Sequence, residues 1–198
     1  FHDRHQPFQD CRHRMSTVIP SWQIPTRRAQ VIRTRKYVAV ICGERWGGSH
    51  FSRSGWSTFI PRKQVTTEWI GANLKKALYS SEDFGAYLPT PIPDEPYDSM
   101  VPESNRKAHE FWLRIQQEFG FKDILTAMSK SAGIYINWPE DQGDQVEMLS
   151  TRGRGGGFSA WGTNENFGKV FHASITLSDL EFGEVAVQAL DRCQPNYA

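Results

Sequence analysis

The side chains of this sequence that could act as nucleophiles or general bases are few and widely spaced. Cys42 is followed eight residues later by His50, which would be the base for a thiol nucleophile. Cys42 ends the hydrophobic run "KYVAVIC", however, and a thiol in such a run is usually buried and unreactive. His109 lies beside an apolar helical stripe without belonging to it, and His172 alternates with Phe171 and has no evident partner. We therefore expect a protein that is not an enzyme.

Metal ligands are equally hard to assemble from the sequence. Glu140, Asp141 and Asp144 flank Pro139 and Gly143, a pattern typical of a hairpin tip that lacks the distal glutamate of a calcium-binding EF-hand loop. The remaining candidates have spacings that match no compact zinc site: His2, His5, Cys11 and His13. The three cysteines are too far apart for a disulfide framework, which favours reduced thiols in the cytoplasm. No metal and no other cofactor is expected.

The stretch "TRGRGGGFSAWG", Thr151 to Gly162, contains three consecutive glycines and invites a nucleotide-binding interpretation. A phosphate-binding loop needs a Lys after the glycines and a helix next, and neither follows here. One RGG triplet is also too little for a disordered RNA-binding tract. We expect Gly153 to Gly157 to form a turn between two strands, where glycine supplies positive φ.

Composition limits the class of protein. The chain has 198 residues, of which 38% are hydrophobic and 23% charged, with a net charge of +1. This is a globular composition that neither demands a nucleic acid nor favours a membrane partner. Charge is nevertheless segregated, since residues 1–60 contain ten Arg and Lys against three Asp and Glu. Such segregation without catalytic machinery is typical of a binding protein with a charged partner.

The chain divides into an arm and one domain. Residues 1–26 lack hydrophobic periodicity and predict a disordered or extended arm, in which residues 1–14 precede Met15 and are either native or upstream sequence. Residues 27–198 predict a single domain. Its strand candidates are "QVIRTRKYVAVIC", "WSTFI", "GIYINW", "QVEML", "FSAWG" and "KVFHASITL".

Three segments have the spacing of amphipathic helices. The first is predicted at Thr67–Ser80 with Thr66 or Thr67 as its cap, and the last at Leu180–Arg192 with a Ser178–Glu181 capping box. Between them, "SNRKAHEFWLRIQQEFG" carries an apolar stripe and ends at a glycine. The stripe consists of Ala108, Phe111, Trp112, Ile115 and Phe119.

A proline-rich acidic segment precedes this middle helix. "SSEDFGAYLPTPIPDEPYDSMVPES" holds five of the eleven prolines and six carboxylates without one Lys or Arg. Proline removes backbone donors, so we expect an extended loop. Asp94, Glu95 and Asp98 in this loop, together with Glu140, Asp141 and Asp144, are the carboxylates that we expect to contact a partner.

The first and last helices resemble each other. When Gly71 is set on Gly183, "IGANLKKALYSS" matches "FGEVAVQALDRC" at Ile70/Phe182 and Leu78/Leu190, and a short strand precedes each helix. We expect an α+β fold, with antiparallel sheet covered by helices and two pseudo-repeated halves of strands followed by a helix.

The block "FSRSGWSTFIPRKQVTTEWIGANLKKALYSSEDF" resembles the immunity proteins of bacterial contact-dependent growth inhibition (CDI) systems, as do "FGFKDILTAMSKS" and "GFSAWG". The resemblance covers about residues 36–193 and departs from the family pattern in the acidic segment and the triple glycine. It implies a cytoplasmic, non-enzymatic protein that binds and neutralises the C-terminal toxin domain of its own system. Many such toxins are nucleases, and an acidic surface would block their basic channel.

An alternative from another class is a single-stranded nucleic-acid-binding protein. It would use the arginines of the N-terminal half for phosphates and nearby aromatic side chains for stacking. These residues are Arg27, Arg28, Arg33, Arg35, Arg45 and Arg53, with Trp46, Phe51 and Trp56. The sequence leaves the oligomeric state open.

Overall fold

A computed structural model describes residues 24–44, 51–81, 94–154, 157–162 and 164–194, without the side chains of 94–101 and 154. Within these ranges seven strands form an antiparallel sheet in the order β3-β2-β1-β4-β5-β6, and β7 also pairs with β5. The strands are β1 (Thr26–Arg33), β2 (Tyr37–Gly43), β3 (Thr58–Pro61), β4 (Ala132–Pro139), β5 (Gln145–Arg154), β6 (Gly157–Ala160) and β7 (Val170–Ser174). The helices are α1 (Thr67–Ser80), α2 (Asp94–Phe119), α3 (Ile124–Met128) and α4 (Asp179–Asp191). This architecture confirms the predicted α+β class.

Both faces of the sheet carry a hydrophobic core, and strand β2 shows how. Val38, Val40 and Cys42 point to one face and pack with α1 and α4, which we call the front face. Tyr37 and Ile41 alternate with them and point to the rear face, where they pack with α2 and α3. All these side chains are buried, as their unbroken hydrophobic run predicts for a strand covered on both sides.

The predicted β-rich run from Gln30 to Cys42 is two strands rather than one. It turns at Thr34, whose hydroxyl accepts the Tyr37 amide at 3.0 Å and donates to the Tyr37 carbonyl at 3.1 Å. The polar residues Thr34, Arg35 and Lys36 at the centre of the run mark this turn. Strands β1 and β2 then pair antiparallel from Arg28–Gly43 to Arg33–Val38.

The two pseudo-repeated halves are visible in the packing of α1 and α4. Each helix begins after a hydroxyl cap, Thr66 for α1 and Ser178 for α4, and Ser178 forms the predicted capping box with Glu181. When Gly71 is aligned with Gly183, the buried positions of the two helices coincide. The buried residues are Ile70, Gly71, Leu74, Ala77 and Leu78 in α1 and Phe182, Gly183, Ala186, Ala189 and Leu190 in α4.

The two matched glycines meet where α1 and α4 cross. A Cβ atom on Gly71 would lie 1.8 Å from the Asp179 carbonyl oxygen, and one on Gly183 would lie 2.0 Å from the Thr67 carbonyl oxygen. Only glycine permits this approach, since real atoms cannot come so close. The sheet agrees with the same twofold relation: β1 pairs with β4 at its centre, β2 and β5 lie outside them, and β3 and β7 lie outside these.

Helix α2 begins earlier than the composition predicts. The segment from Asp94 to Glu103 was expected to be an extended loop, but it is helical and continues without a break to Phe119. Pro96 lies in the first turn, where backbone amides have no helical acceptor. Pro102 removes one internal hydrogen bond, yet the helix continues, because Phe111, Trp112 and Ile115 beyond it are buried on the rear face. Residues 82–93 of that expected loop lie outside the described part of the chain.

The glycine-rich stretch is flanked by two strands, as predicted, but the turn expected from Gly153 to Gly157 does not include its two end residues, neither of which has positive φ. Strands β5 and β6 pair antiparallel, with Arg154 opposite Gly157 and Gly153 opposite Phe158. Gly153 and Gly157 therefore belong to the strands rather than to the loop. Gly155 and Gly156 lie outside the described residues.

Candidate functional site

Three of the carboxylates predicted to contact a partner lie together at the tip of the β4–β5 hairpin. Glu140 and Asp141 lie in a 3-10 turn, and they and Asp144 are exposed. We call residues 140–144 the acidic hairpin. The Trp138 indole nitrogen donates to the Gly143 carbonyl at 2.8 Å, and the Glu140 amide donates to the Pro25 carbonyl at 2.9 Å. The tip is thus fixed against the start of β1.

Asp144 is tied to the neighbouring strand as well. The Ser174 hydroxyl donates to its carboxylate at 2.6 Å, and the Gln145 amide donates to it at 3.1 Å. These two hydrogen bonds, of which the one from Ser174 has the larger effect, hold the pKa of Asp144 below its usual range. The hairpin therefore presents a negatively charged carboxylate that hydrogen bonds hold in place.

The other predicted carboxylates, Asp94, Glu95 and Asp98, lie in the first turns of α2. Their side chains are outside what the structure describes. The two predicted patches are therefore on different elements, and the contacts made by the α2 group remain a prediction.

A row of four polar side chains crosses the rear face beside the acidic hairpin. The Arg28 guanidinium donates to the Asn137 carbonyl oxygen at 3.3 Å, and the Asn137 amide donates to a Glu147 carboxylate oxygen at 3.4 Å. The His172 ring nitrogen lies 3.9 Å from the other Glu147 oxygen. These residues come from β1, β4, β5 and β7, and we call them the polar row. His172, for which the sequence offered no partner, thus lies beside a carboxylate.

Asn137, Glu147 and His172 of the polar row lie on the part of the rear face that no described helix covers, while Arg28 lies on β1 at the edge of that part, facing the groove beside α2. Helix α2 packs over β1, β2 and β3 through Phe111, Trp112 and Ile115. In β4, β5 and β7, front-core residues such as Val146, Met148 and Ala173 alternate with residues that face the rear. We call the rear surface of these three strands the open half.

Each end of the polar row adjoins a concavity. Beyond Arg28, a groove of about 490 Å³ lies between α2 and β6. Its apolar walls include Ile32, Ile41, Phe51, Trp112, Met128 and Phe158. Beyond Glu147 and His172, a smaller cavity of about 290 Å³ reaches Asp141 of the acidic hairpin. The row therefore connects an apolar groove to an acidic rim.

Arg28 is the most constrained member of the polar row. Burial lowers its pKa, which means that its environment disfavours the positive charge. Its Nε atom is buried and has no hydrogen-bond partner, and among the described residues no carboxylate lies within 4.0 Å of its guanidinium. A partly buried cation without a nearby anion costs free energy, which makes Arg28 a candidate binding position.

Most of the described arginines of the N-terminal half have tasks within the fold. Arg27 donates to the carbonyls of Leu78, Tyr79 and Ser81 at the end of α1, the nearest at 2.8 Å. Arg33 pairs with Asp191 at 2.8 Å. Arg53 lies 3.3 Å from Glu103, with buried Glu44 beside it. Of the stacking candidates, Phe51 packs on Phe111 against the rear core, the Trp56 indole donates to the Asn73 side chain at 3.0 Å, and Trp46 lies outside the described residues, as does Arg45. These contacts engage Arg27, Arg33, Arg53, Phe51 and Trp56 of the nine residues that the nucleic-acid alternative would use.

The thiols and possible metal ligands form no reactive centre in the described part of the chain. Burial raises the pKa of Cys42 to about 11, as its hydrophobic strand predicts. Neither a metal-binding group of three His, Cys, Asp or Glu residues nor a helix long and apolar enough to cross a membrane is found there. His50, the possible base, lies outside the described residues.

Sequence reasoning missed the polar row as a unit. Tyr135 and Asn137 alternate with apolar residues in β4. Glu147 does the same in β5, and His172 in β7. That alternation indicates which residues share a face, but it does not show which strands are neighbours. The acidic hairpin was found because its residues are adjacent in sequence.

The sheet thus presents a charged, partly open surface beside the acidic hairpin. Comparison with known proteins then gives the family: residues 27–193 match the model of the CDI immunity proteins, and the chain belongs to that family. No curated protein matches the chain. The predicted resemblance is thereby confirmed.

Two solved structures share the fold. One is a Neisseria meningitidis protein of unknown function, with a TM-score of 0.66 at 16% identity over 85% of this chain and 96% of that one. The other comes from a Yersinia pseudotuberculosis CdiA-CT/CdiI toxin and immunity complex, with a TM-score of 0.67 at 18% identity over 86% of this chain and 99% of that one. At these identities the likeness shows the fold alone.

Proposed function

We propose that this protein is a cytoplasmic immunity protein that binds the C-terminal toxin domain of its own CDI system and neutralises it without catalysis. Membership of the immunity family supports the class of partner. The observation that carries the site is the acidic hairpin beside the open half of the rear face. It is a braced group of carboxylates next to a sheet surface that no described helix covers.

The toxin is proposed to be a nuclease. The substrate channel of a nuclease is positively charged, and the exposed carboxylates Glu140, Asp141 and Asp144 are complementary to such a channel. The Asp94, Glu95 and Asp98 group at the start of α2 is proposed as a second contact of the same kind. Long-range attraction between these charges would make association fast and dependent on ionic strength.

The proposed binding can be tested with the toxin domain of the same CDI system. Asp141→Lys should slow association about tenfold at low salt, since it reverses a charge at the centre of the interface. Glu184→Lys makes the same change on the exposed side of α4 and should leave the rate unchanged. Equal rates for both variants would remove the acidic hairpin from the interface, and failure of the unaltered protein to bind would overturn the function itself.

The nuclease assignment has a separate test. The purified toxin domain should degrade plasmid DNA or cellular RNA, and one equivalent of this protein should stop the degradation. A toxin that binds this protein but cleaves neither nucleic acid would contradict the nuclease assignment and leave the immunity function intact.

A further inference from the structure

The internal repeat makes the open half conspicuous. Strands β1–β3 followed by α1 correspond to β4, β5 and β7 followed by α4, and the two helices match residue for residue in the core. Helix α2, which covers the rear of the first half, has no described counterpart over the second. The rear of the second half carries Asn137, Glu147 and His172, where the first carries Tyr37, Ala39 and Ile41. Its surface chemistry therefore suits a polar occupant.

The polar row also specifies the order of charges in that occupant. Arg28 is a partly buried cation that lacks a carboxylate, and it borders the apolar groove. Glu147 is half-exposed, with 37% of its side-chain surface accessible, and it borders the cavity next to the acidic hairpin. Strands β1 and β5 are separated by β4, so these two charges lie two strand spacings apart, roughly 10 Å.

We propose that the polar row is a charge-ordered recognition site for one segment of the toxin domain. The segment places a carboxylate on Arg28, an adjacent apolar side chain in the groove beside α2, and a Lys or Arg on Glu147 about 10 Å away. His172 lies 3.9 Å from the Glu147 carboxylate on the opposite side, and Asn137 connects the two charged positions. This inference rests on the proposed toxin binding and adds a specificity determinant to it.

The site would distinguish the cognate toxin from related ones. A toxin segment with the charges in reverse order would put like charges together at both ends of the row. A segment with no carboxylate would leave the Arg28 guanidinium partly buried and without an anion among the described residues, because Asn137 accepts from only one of its nitrogen atoms. Both situations penalise the wrong partner, which is how charged interfaces obtain specificity.

The test is the affinity of the toxin domain for Arg28→Met, with thermal melting of the free variant measured alongside. Arg28→Met should weaken binding roughly 30-fold or more, because the toxin carboxylate would be buried without its cation. The free protein should keep or raise its melting temperature, since an apolar side chain replaces a desolvated charge. Arg28→Lys, which retains the charge, should recover part of the affinity. Binding by Arg28→Met as tight as that of the unaltered protein would overturn the proposal.

A second variant keeps the proposal testable if Arg28→Met does not fold. Glu147→Lys lies at the half-exposed end of the row and should weaken binding about tenfold. Glu184→Lys on α4 is the matched control. Unchanged affinity in Glu147→Lys would overturn the charge order while toxin binding itself stands, so the two failures are distinguishable.

Discussion

The half of the rear face that α2 covers and the half that it leaves open have the same strand arrangement but different side chains. In the covered half, Tyr37, Ala39 and Ile41 of β2 are buried against aromatic residues of α2. In the open half, Glu147 and His172 keep 37% and 59% of their side-chain surface accessible. The difference is that one half contributes to the hydrophobic core and the other keeps charged side chains accessible, as the proposed toxin-binding surface requires.

The front face differs from both rear halves, because the same helix packing occurs twice on it. Helices α1 and α4 have equivalent caps, equivalent buried residues and one glycine each at their crossing. Duplication of the front and divergence of the rear are compatible, because side chains on the two faces of a strand alternate and can change independently.

The largest effect is expected at the glycine crossing on the front face. Gly71→Ala would place a Cβ atom 1.8 Å from the Asp179 carbonyl oxygen, so α1 and α4 must separate. We expect a loss of about 3 kcal/mol or more in the free energy of unfolding, measured by urea denaturation. Gly162→Ala is the control, because its Cβ would meet nothing closer than the Glu165 carboxylate at 3.6 Å. A loss below about 1 kcal/mol for Gly71→Ala would contradict the close crossing.

The contrast between the two rear halves can be tested with one aliphatic truncation in each. Ile115 of α2 is fully buried in the covered half, and Ile115→Ala should cost about 2–5 kcal/mol. Leu149 of β5 faces the open half and is only partly buried, so Leu149→Ala should cost about 1 kcal/mol. Equal costs in chemical denaturation would show that the open half is as tightly packed as the covered one.

The two helix caps should have similar, smaller effects. Thr66→Ala and Ser178→Ala each remove a hydroxyl that accepts a hydrogen bond from a backbone amide of the first turn, and each should cost about 1 kcal/mol in thermal or chemical unfolding.

The cap of α4 should also affect the acid dependence of stability. Hydrogen bonds from Ser178 hold the pKa of Glu181 below its usual range. The folded form therefore gains stability above the ordinary glutamate pKa and loses it as the pH falls through the lowered value. Ser178→Ala should flatten this acid dependence in thermal melts, whereas Thr66→Ala should not.

The smallest effect concerns the thiol on the front face. Because burial raises the pKa of Cys42 to about 11, little thiolate exists at pH 8, and alkylation should wait for unfolding. Mass spectrometry after brief iodoacetamide treatment should find Cys42 unmodified in the native protein and modified in urea. Rapid native modification would contradict its burial.

The sequence allowed the helices of the front face to be predicted almost to the residue, because their signals are local. The Thr66 and Ser178 caps and the Gly71/Gly183 match lie within or next to the helices that they define. The start of α2 was not predictable in this way. Its prolines and carboxylates favour a loop locally. A helix tolerates Pro96 in its first turn, however, and α2 continues past Pro102.

The candidate site could be predicted only in part. The acidic hairpin is continuous in sequence, and Gly143 with φ of 61° marks its turn. The polar row brings Arg28 beside Asn137, which is 109 residues away, and their contact depends on the pairing of β1 with β4. Strand alternation places such residues on a face, but the order of strands decides which of them touch.

The most direct test of the account asks whether the toxin covers the open half and the acidic hairpin. Exposed carboxylates can be labelled with glycine ethyl ester and located by mass spectrometry, in the free protein and in its complex with the toxin domain. We predict that labelling of Asp141 and Glu147 falls several-fold in the complex, while Glu68 and Glu184, exposed on α1 and α4, are labelled as before. Protection of Glu68 and Glu184 with unchanged labelling of Asp141 and Glu147 would contradict the account.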